Sequence, residues 1–363
     1  MVTKTDGRGL LSGTYSNTNH SMDQDVWLHD TFPQWGRYLN LQIEHAVIPK
    51  GQIGLWWCGG SSWVLKTDEG GTFWIDMFTG GSGYTEQSSC GVCRQSGAES
   101  MNWLTLTPGV INPWEFGKLD GCMITHVHQD HCDVNSIKAI NQTKDTNFYG
   151  PKVVAKRLNE FETPVDRIHQ VTVGDVVEIP GGRVRVLPCY DDTAIRTGGA
   201  AGLLDYEDAC VCFLFETSGG NVLFMGDTWY NDAYAYFPRF FDIDLAIFDM
   251  GFNWPGATDK MTPYDCVRMG MALQCKTMIP DHYDNLAHTA YDPMFIVNQF
   301  ERLAQEMTPD IKTIIMQIGG MILYPKDKNV GHYRYPNGSI GVDVTRISGY
   351  QKLAAKFHPK ETK

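Results

Sequence analysis

The chain has 363 residues, 42% hydrophobic and 12% aromatic, enough for a sizeable core in one large domain or two. Its 30 Lys and Arg against 42 Asp and Glu give a formal net charge of −12, which argues against nucleic acid or an anionic membrane as a partner. No apolar run approaches the roughly 18 residues of a membrane helix, the N-terminus is polar with no signal-like apolar segment, and the 10 cysteines are scattered, several inside apolar runs (Cys58, Cys122, Cys210, Cys212), as expected of reduced thiols in a cytoplasmic protein.

Residues 1–29 are rich in Ser, Thr, Asn, Asp and Gly and read as a flexible arm; residues 30–363 read as a single domain. Leu39, Ile43 and Val47 at helical spacing predict a helix over Trp35–Val47, ended near Pro49. Three strands follow, Gln52–Cys58, Ser62–Lys66 and Thr72–Asp76, separated by the turn signals Gly59-Gly60 and Asp68-Glu69-Gly70-Gly71. Asp76 at the strand end has two readings, support of a histidine or a turn acid. Residues 79–118 lack periodicity but carry Met101, Trp103, Leu104, Trp114 and Phe116, and are expected to form a lid or rim over a site. The lone pair Cys90 and Cys93 within them reads as ordinary loop.

The short apolar run Asp120–Thr125 predicts a buried strand, and the chain then reads Thr125-His126-Val127-His128-Gln129-Asp130-His131-Cys132-Asp133. Three of the chain's 11 histidines fall here. In extended backbone His126 and His128 lean to one face and can share a metal, while Asp130 and His131 follow as the chain turns and can face a second. Imidazole with carboxylate suits Zn, Mn or Fe rather than Ca. No Cys-x-x-Cys pair lies at zinc-finger spacing from these histidines.

Downstream, a helix is predicted from Val134 with Asp133 or Asn135 as cap, a strand at Phe148–Gly150, a helix from Pro151 to Leu158, and strands at Ile168–Val173, Asp175–Ile179 and Arg183–Leu187. Val211–Glu216 and Asn221–Met225 form a hairpin whose second strand runs into Gly226-Asp227-Thr228. Asp227 can bridge two cations, because a carboxylate has two oxygens. Then come a strand at Asp244–Phe248, a helix over Pro263–Leu273 capped by Thr262, a strand from Lys276 that delivers His282, a helix over Phe295–Met307 and a strand over Ile311–Met316. The β-α-β rhythm supports a layered α/β sandwich.

The His-x-His-x-Asp-His run at a strand end resembles the signature of the metallo-β-lactamase superfamily. The resemblance implies an αββα four-layer sandwich and further ligands at Asp227, after a strand ending in Gly, and at His282, after Ile279-Pro280-Asp281. The stretch 188–194, where the superfamily commonly supplies a third histidine, holds none, and Asp191 or Asp192 could stand in as an oxygen ligand. Beyond these motifs, Thr31-Phe32-Pro33-Gln34-Trp35-Gly36, Leu55-Trp56-Trp57, Thr258-Asp259-Lys260-Met261-Thr262, Arg268-Met269-Gly270 and Tyr335-Pro336 resemble the L-ascorbate-6-phosphate lactonase family. The segments 88–97 and 196–206 depart from that pattern.

This second resemblance implies a metal-dependent hydrolase that opens a sugar-derived lactone, L-ascorbate 6-phosphate, by attack of metal-bound hydroxide. A phosphodiesterase of the same superfamily is the alternative. His126, His128, Asp227 and Asp191 would serve one metal; Asp130, His131, Asp227 and His282 would serve the other, with Asp130 and Asp227 as the catalytic carboxylates. One or two divalent ions are expected, Mn²⁺ ahead of Zn²⁺ because the donor set is oxygen-rich. Lys260, Arg196 and Arg334 are the candidate anchors for the substrate's phosphate. A homo-oligomer is also implied, with the aromatic-rich N-terminal helix as a contact.

Overall fold

The computed structural model describes residues 37–79, 109–128, 130–197, 205–251, 260–284 and 293–332. The N-terminal arm, the stretch 80–108 with Cys90 and Cys93, His288 and Arg334 lie outside the described residues. Among the described residues no helix is long and apolar enough to cross a membrane.

The first helix, α1, covers Tyr38–His45 and buries Leu39, Asn40 and Ile43. It ends earlier than its periodicity suggested because Ala46 is already extended as the chain approaches Pro49. Strands β1 (Ile53–Gly59), β2 (Ser62–Thr67) and β3 (Thr72–Ile75) form an antiparallel meander. Strands β4 (Gly121–Met123), β5 (Asn147–Gly150) and β6 (Ile168–Gln170) then add in parallel. Parallel neighbours need crossovers, and helices α2 (Val134–Thr143) and α3 (Lys152–Glu160) supply them.

The second sheet repeats this plan. Strands β7 (Val176–Ile179), β8 (Gly182–Pro188), β9 (Val211–Thr217) and β10 (Gly220–Phe224) are antiparallel. Strands β11 (Leu245–Asp249), β12 (Thr277–Asp281) and β13 (Lys312–Thr313) are parallel to β10 and to one another. Two short helices, α4 (Asp192–Thr197) and α5 (Tyr206–Ala209), lie between β8 and β9, and the longer α6 (Pro263–Leu273) and α7 (Pro293–Met307) follow. A last strand, β14 (Met321–Tyr324), returns to the first sheet and pairs with β1, so each sheet has seven strands.

Why two sheets face each other is visible in the side-chain period of two. Leu55, Trp57, Trp63, Leu65, Phe73 and Ile75 point inward to a core shared with β8 to β12. The alternate residues Trp56, Val64 and Trp74 point the other way, to a second core under α1, α2 and α3. Both faces of the first sheet are therefore buried, which gives the αββα layering.

Two expectations are corrected. The strand read over Ile311–Met316 pairs only at Lys312–Thr313; Ile314 still donates to Met278 O at 3.0 Å, but Ile315 turns away to bridge His332. Residues 109–118 are not a rim over the site. Asn112 caps a 3-10 turn over Pro113–Glu115, Trp114 Nε1 donates to Gln142 of α2 at 3.2 Å, and Phe116 stacks on Trp74 at 5.3 Å, so the segment is part of the helical layer. β14 was not foreseen, since four residues after Gly319-Gly320 carry too little pattern.

A buried polar contact joins the two sheets beside the centre. Trp63 Nε1 on β2 donates to Asp281 Oδ2 on β12 at 2.7 Å. Burial pushes the Asp281 carboxyl up to about 7, against the pull of the Trp63 donor and His282. The folded value lies above the unfolded one, so this group's contribution is full below the unfolded pKa and is lost as pH rises through about 7. Asp281→Asn, which keeps an acceptor for Trp63, should therefore stabilise the chain relative to the parent more at pH 8 than at pH 5, by on the order of 1–3 kcal/mol. Urea unfolding at both pH values measures this, and a pH-independent difference would refute it.

Candidate metal centre

The centre forms where β3, β4, β10 and β12 end at one rim of the two sheets. β4 stops at Met123, and the chain enters the histidine loop through Thr125. Asp76, one residue past β3, accepts from Thr125 N and from Thr125 Oγ1, both at 2.7 Å, and its Oδ2 lies 2.9 Å from His131 Nδ1. With Nδ1–H donated to Asp76, His131 presents Nε2 to the centre. Thr125 Oγ1 also lies 3.0 Å from His126 Nδ1, which turns the Nε2 of that ring inward too. Asp76 thus supports the histidine loop, the first of its two readings.

Two tight turns aim the remaining groups. His131 N and Cys132 N both donate to His128 O, at 3.0 and 2.7 Å, so the backbone reverses between His128 and His131. Asp133 then caps α2 through Asn135 N and Ser136 N at 3.1 and 3.2 Å. At the other sheet, Gly226 has φ +60°, and a Cβ there would meet Thr125 Oγ1 at 2.4 Å, so only glycine lets β10 pass close enough to set Asp227 against the loop. Asp76 and His282 also adopt left-handed backbone, φ 47° and 65°, a conformation non-glycine residues tend to keep at functional sites.

Six side chains from three strand ends converge. The potential donor atoms of His126, His128 and Asp227 lie within 4.8 Å of one another, as do those of Asp130, His131 and His282. His126 Nε2 is 2.9 Å from His128 Nδ1. Asp227 faces both groups: Oδ1 is 3.1 Å from His131 Nε2 and 3.1 Å from His282 Nε2, and Oδ2 is 3.9 Å from His126 Nε2. Asp130 lies 3.3 Å from His282 Nε2 and 3.9 Å from His131 Nε2. Asp191, fully buried, directs Oδ2 to within 3.8 Å of His126 Nε2 while its Oδ1 accepts from Ala194 N. Neighbouring donors around a cation with bonds of about 2.1 Å lie about 3.0–3.4 Å apart. The inner separations match that spacing, and Asp227 Oδ1 is buried against the Nε2 atoms of His131 and His282. The residues present fit a divalent cation.

Electrostatics agree with the geometry. Burial, and then its imidazole neighbours, push His126 well below its ordinary value. Burial acts the same way on His131 and His282, but Asp227 beside them wins, so His131 is raised well above the ordinary value and His282 up to about 10. The same imidazoles, with Lys260, hold Asp227 well below the carboxylate range against its burial.

The three proposed phosphate anchors separate. Lys260 is turned into the centre, paired with Asp227 Oδ2 and 3.0 Å from His282 Nε2. Arg196 is exposed on α4, five residues after Asp191, with Nε on Asp192 O at 3.2 Å. Arg334 lies outside the described residues. Asp192 accepts from Tyr206 OH, and His169 stacks on Tyr149, so neither joins the cluster. Asp249 was overlooked: it ends β11, accepts from Thr228 N at 3.1 Å, and is pushed well above the carboxylate range by burial. The signal was available, because β3 and β11 both run as apolar strands into Asp.

Comparison with known proteins places this arrangement. Residues 94–283 match the family model described as a beta-lactamase superfamily domain. A "probable L-ascorbate-6-phosphate lactonase UlaG" of Escherichia coli is 33% identical over 333 residues, covering 88% of this chain and 94% of that protein. The same-named protein of a second E. coli strain is 33% identical over 336 residues with the same coverage. The chain belongs to the UlaG-like family of the metallo-β-lactamase superfamily. The fold is shared more widely. An isothiocyanate hydrolase from Delia radicum gut bacteria superposes with a TM-score of 0.56 at 15% identity over 74% of this chain and 98% of that one. The metallo-beta-lactamase fold protein YhfI of Bacillus subtilis superposes with a TM-score of 0.51 at 13% identity over 75% and 99%. This UlaG-like chain is thus a hydrolase of the metal-dependent type, and divalent cations are its cofactor class.

Two outcomes follow for this UlaG-like centre. Without a cation Asp227 and Asp130 favour a proton on the His131–His282 pair, whose Nε2 atoms lie 3.2 Å apart, and metal uptake must expel it. Affinity for Mn²⁺ or Zn²⁺ should therefore rise with pH, with protons released, as calorimetry in buffers of different ionisation enthalpy would detect; pH-independent uptake would refute it. Asp76→Asn, whose remaining oxygen stays on Thr125 N and whose NH2 replaces the Oδ2 that accepts from His131, should weaken metal binding by about 10- to 100-fold.

Proposed function

We propose that this hydrolase opens the lactone ring of L-ascorbate 6-phosphate, with His126, His128, Asp191 and Asp227 able to hold one divalent ion and Asp130, His131, Asp227 and His282 another. The observation that carries the reading is the relatives' described activity at 33% identity across 88% of the chain, joined to a centre built from imidazoles and carboxylates. Mn²⁺ is favoured over Zn²⁺, since Asp191 takes the place of an imidazole and makes the set richer in oxygen.

A divalent ion at such a centre acidifies water and polarises a carbonyl. The chain's own residues do the rest. Asp130 is the most accessible of the convergent carboxylates, its side chain 17% exposed. Its carboxyl is held well below the usual range by His131 and His282 against burial. It is ionised at neutral pH and can take a proton from the attacking water. It can then return that proton to the ring oxygen on C4 as the bond from that oxygen to the carbonyl carbon breaks and the ring opens. Asp227 spans both groups of imidazoles and keeps them in register. Thr125 and Asp76 fix the two ring orientations. Burial pushes the Cys132 and Cys189 thiols well up, so neither is a thiolate nucleophile.

Arg196, exposed on α4 five residues after Asp191, is read as the cation that meets the substrate's phosphate. The partner is read as a small anionic substrate in the cytoplasm, with no role for nucleic acid or membrane at a net charge of −12. Self-association is part of the same reading, with the exposed Tyr38 and Leu41 of α1 and the nearby Val47 as contacts.

The test is hydrolysis of L-ascorbate 6-phosphate by metal-stripped protein reloaded with Mn²⁺ or Zn²⁺. Turnover should return with metal and fall at least about 100-fold in His128→Ala. Cleavage of bis-p-nitrophenyl phosphate without lactone turnover would transfer the assignment to a phosphodiesterase.

A further inference from the structure

The centre already contains a cation of its own. The Lys260 side chain is only 9% exposed, its ammonium is paired with Asp227 Oδ2, and it stands 3.0 Å from His282 Nε2. Its stem runs beside Gly251, where a Cβ would touch Lys260 Cγ and Cδ at 3.4 Å, and Gly251 N donates to Met261 O at 3.0 Å. Of the two residues it contacts, Asp227 faces both groups of donors and His282 belongs to the second. A divalent ion and an ammonium cannot both occupy this position, because like charges about 3 Å apart in a buried setting repel strongly.

We propose that Lys260 is the internal counter-cation of the centre, which competes with the divalent ion for Asp227 and His282 and is displaced when the ion binds. This rests on the reading of those residues as metal ligands. It moves Lys260 away from the phosphate-anchor role. The phosphate of an ascorbate-type substrate lies several bonds from the reacting carbonyl, whereas Lys260 touches the atoms that would hold the ion at that carbonyl. The Lys260 ammonium is paired with Asp227 Oδ2, so the carboxylate that faces both groups of imidazoles is already ion-paired by a side chain of the same protein.

The experiment is a calorimetric titration of Mn²⁺ into the metal-stripped full-length chain and its variants. Lys260→Met should bind Mn²⁺ about 10- to 100-fold more tightly than the parent. Lys260→Arg, which retains the charge, should stay near the parent. Lys152→Met, a loss of the same charge at the exposed Asp208 pair, should change nothing measurable. Circular dichroism verifies folding, and Lys260→Gln replaces the Met variant if that one does not fold. Equal or weaker affinity in the neutral variants overturns the proposal while leaving the metal reading intact. A tightening matched by Lys152→Met also overturns it, since that is a long-range charge effect. Absence of Mn²⁺ binding in every form, parent included, sinks the metal reading and the proposal with it. A KM increase confined to the phosphorylated lactone, at unchanged metal affinity, returns Lys260 to the phosphate.

Discussion

Burying carboxylates next to imidazoles is the constraint on which this structure depends. Asp76, Asp191, Asp227, His126, His128, His131 and His282 are all almost wholly inaccessible, and Asp130 is mostly so. An isolated buried charge is costly, and such groups persist only when paired or bound to metal. Every part of the rim serves that pairing. Asp76 takes the outer nitrogen of His131, Thr125 takes that of His126, and Asp227 lies between the two groups. The left-handed backbone of Asp76 and His282 is a local cost that the pairing offsets.

The two sheets make that arrangement stiff. Parallel strands end in phase, so the C-terminal ends of β3 and β4 and those of β10, β11 and β12 open at the same rim. Large side chains lock the layers, with Trp57, Trp63, Phe73, Phe213, Phe215 and Phe224 in one core. The Trp63 to Asp281 hydrogen bond crosses that core one residue before His282. A histidine so placed has little freedom to relax when a neighbour is changed, because packed interiors transmit displacement rather than absorb it.

The polarity of the centre also bears on chemistry. Four carboxylates, Asp76, Asp130, Asp191 and Asp227, stand at the centre, and such a set favours cations. The resident ammonium of Lys260 fits the same economy, since it is a positive charge already inside the rim.

Much of this was legible in the sequence, for local reasons. Strands β1 to β3 announce themselves by aromatic and β-branched runs between glycine turns. α6 announces itself by Thr262-Pro263, which the structure shows as a capping box. The histidine loop is short enough that backbone geometry alone brings His126 beside His128. Other features were decided only by tertiary structure. Residues 109–118 carry no period, and only their contacts with α2 and Trp74 show that they are packed layer. Gly226 is required by the approach of Thr125, from a strand more than a hundred residues earlier. Lys260 precedes a helix and reads locally as an anion anchor, yet its partners are Asp227 and His282, from two other strand ends. Sequence patterns report the period and capping of single elements, because those are set by near neighbours. Which charges share one buried rim is set by how the two sheets close on each other.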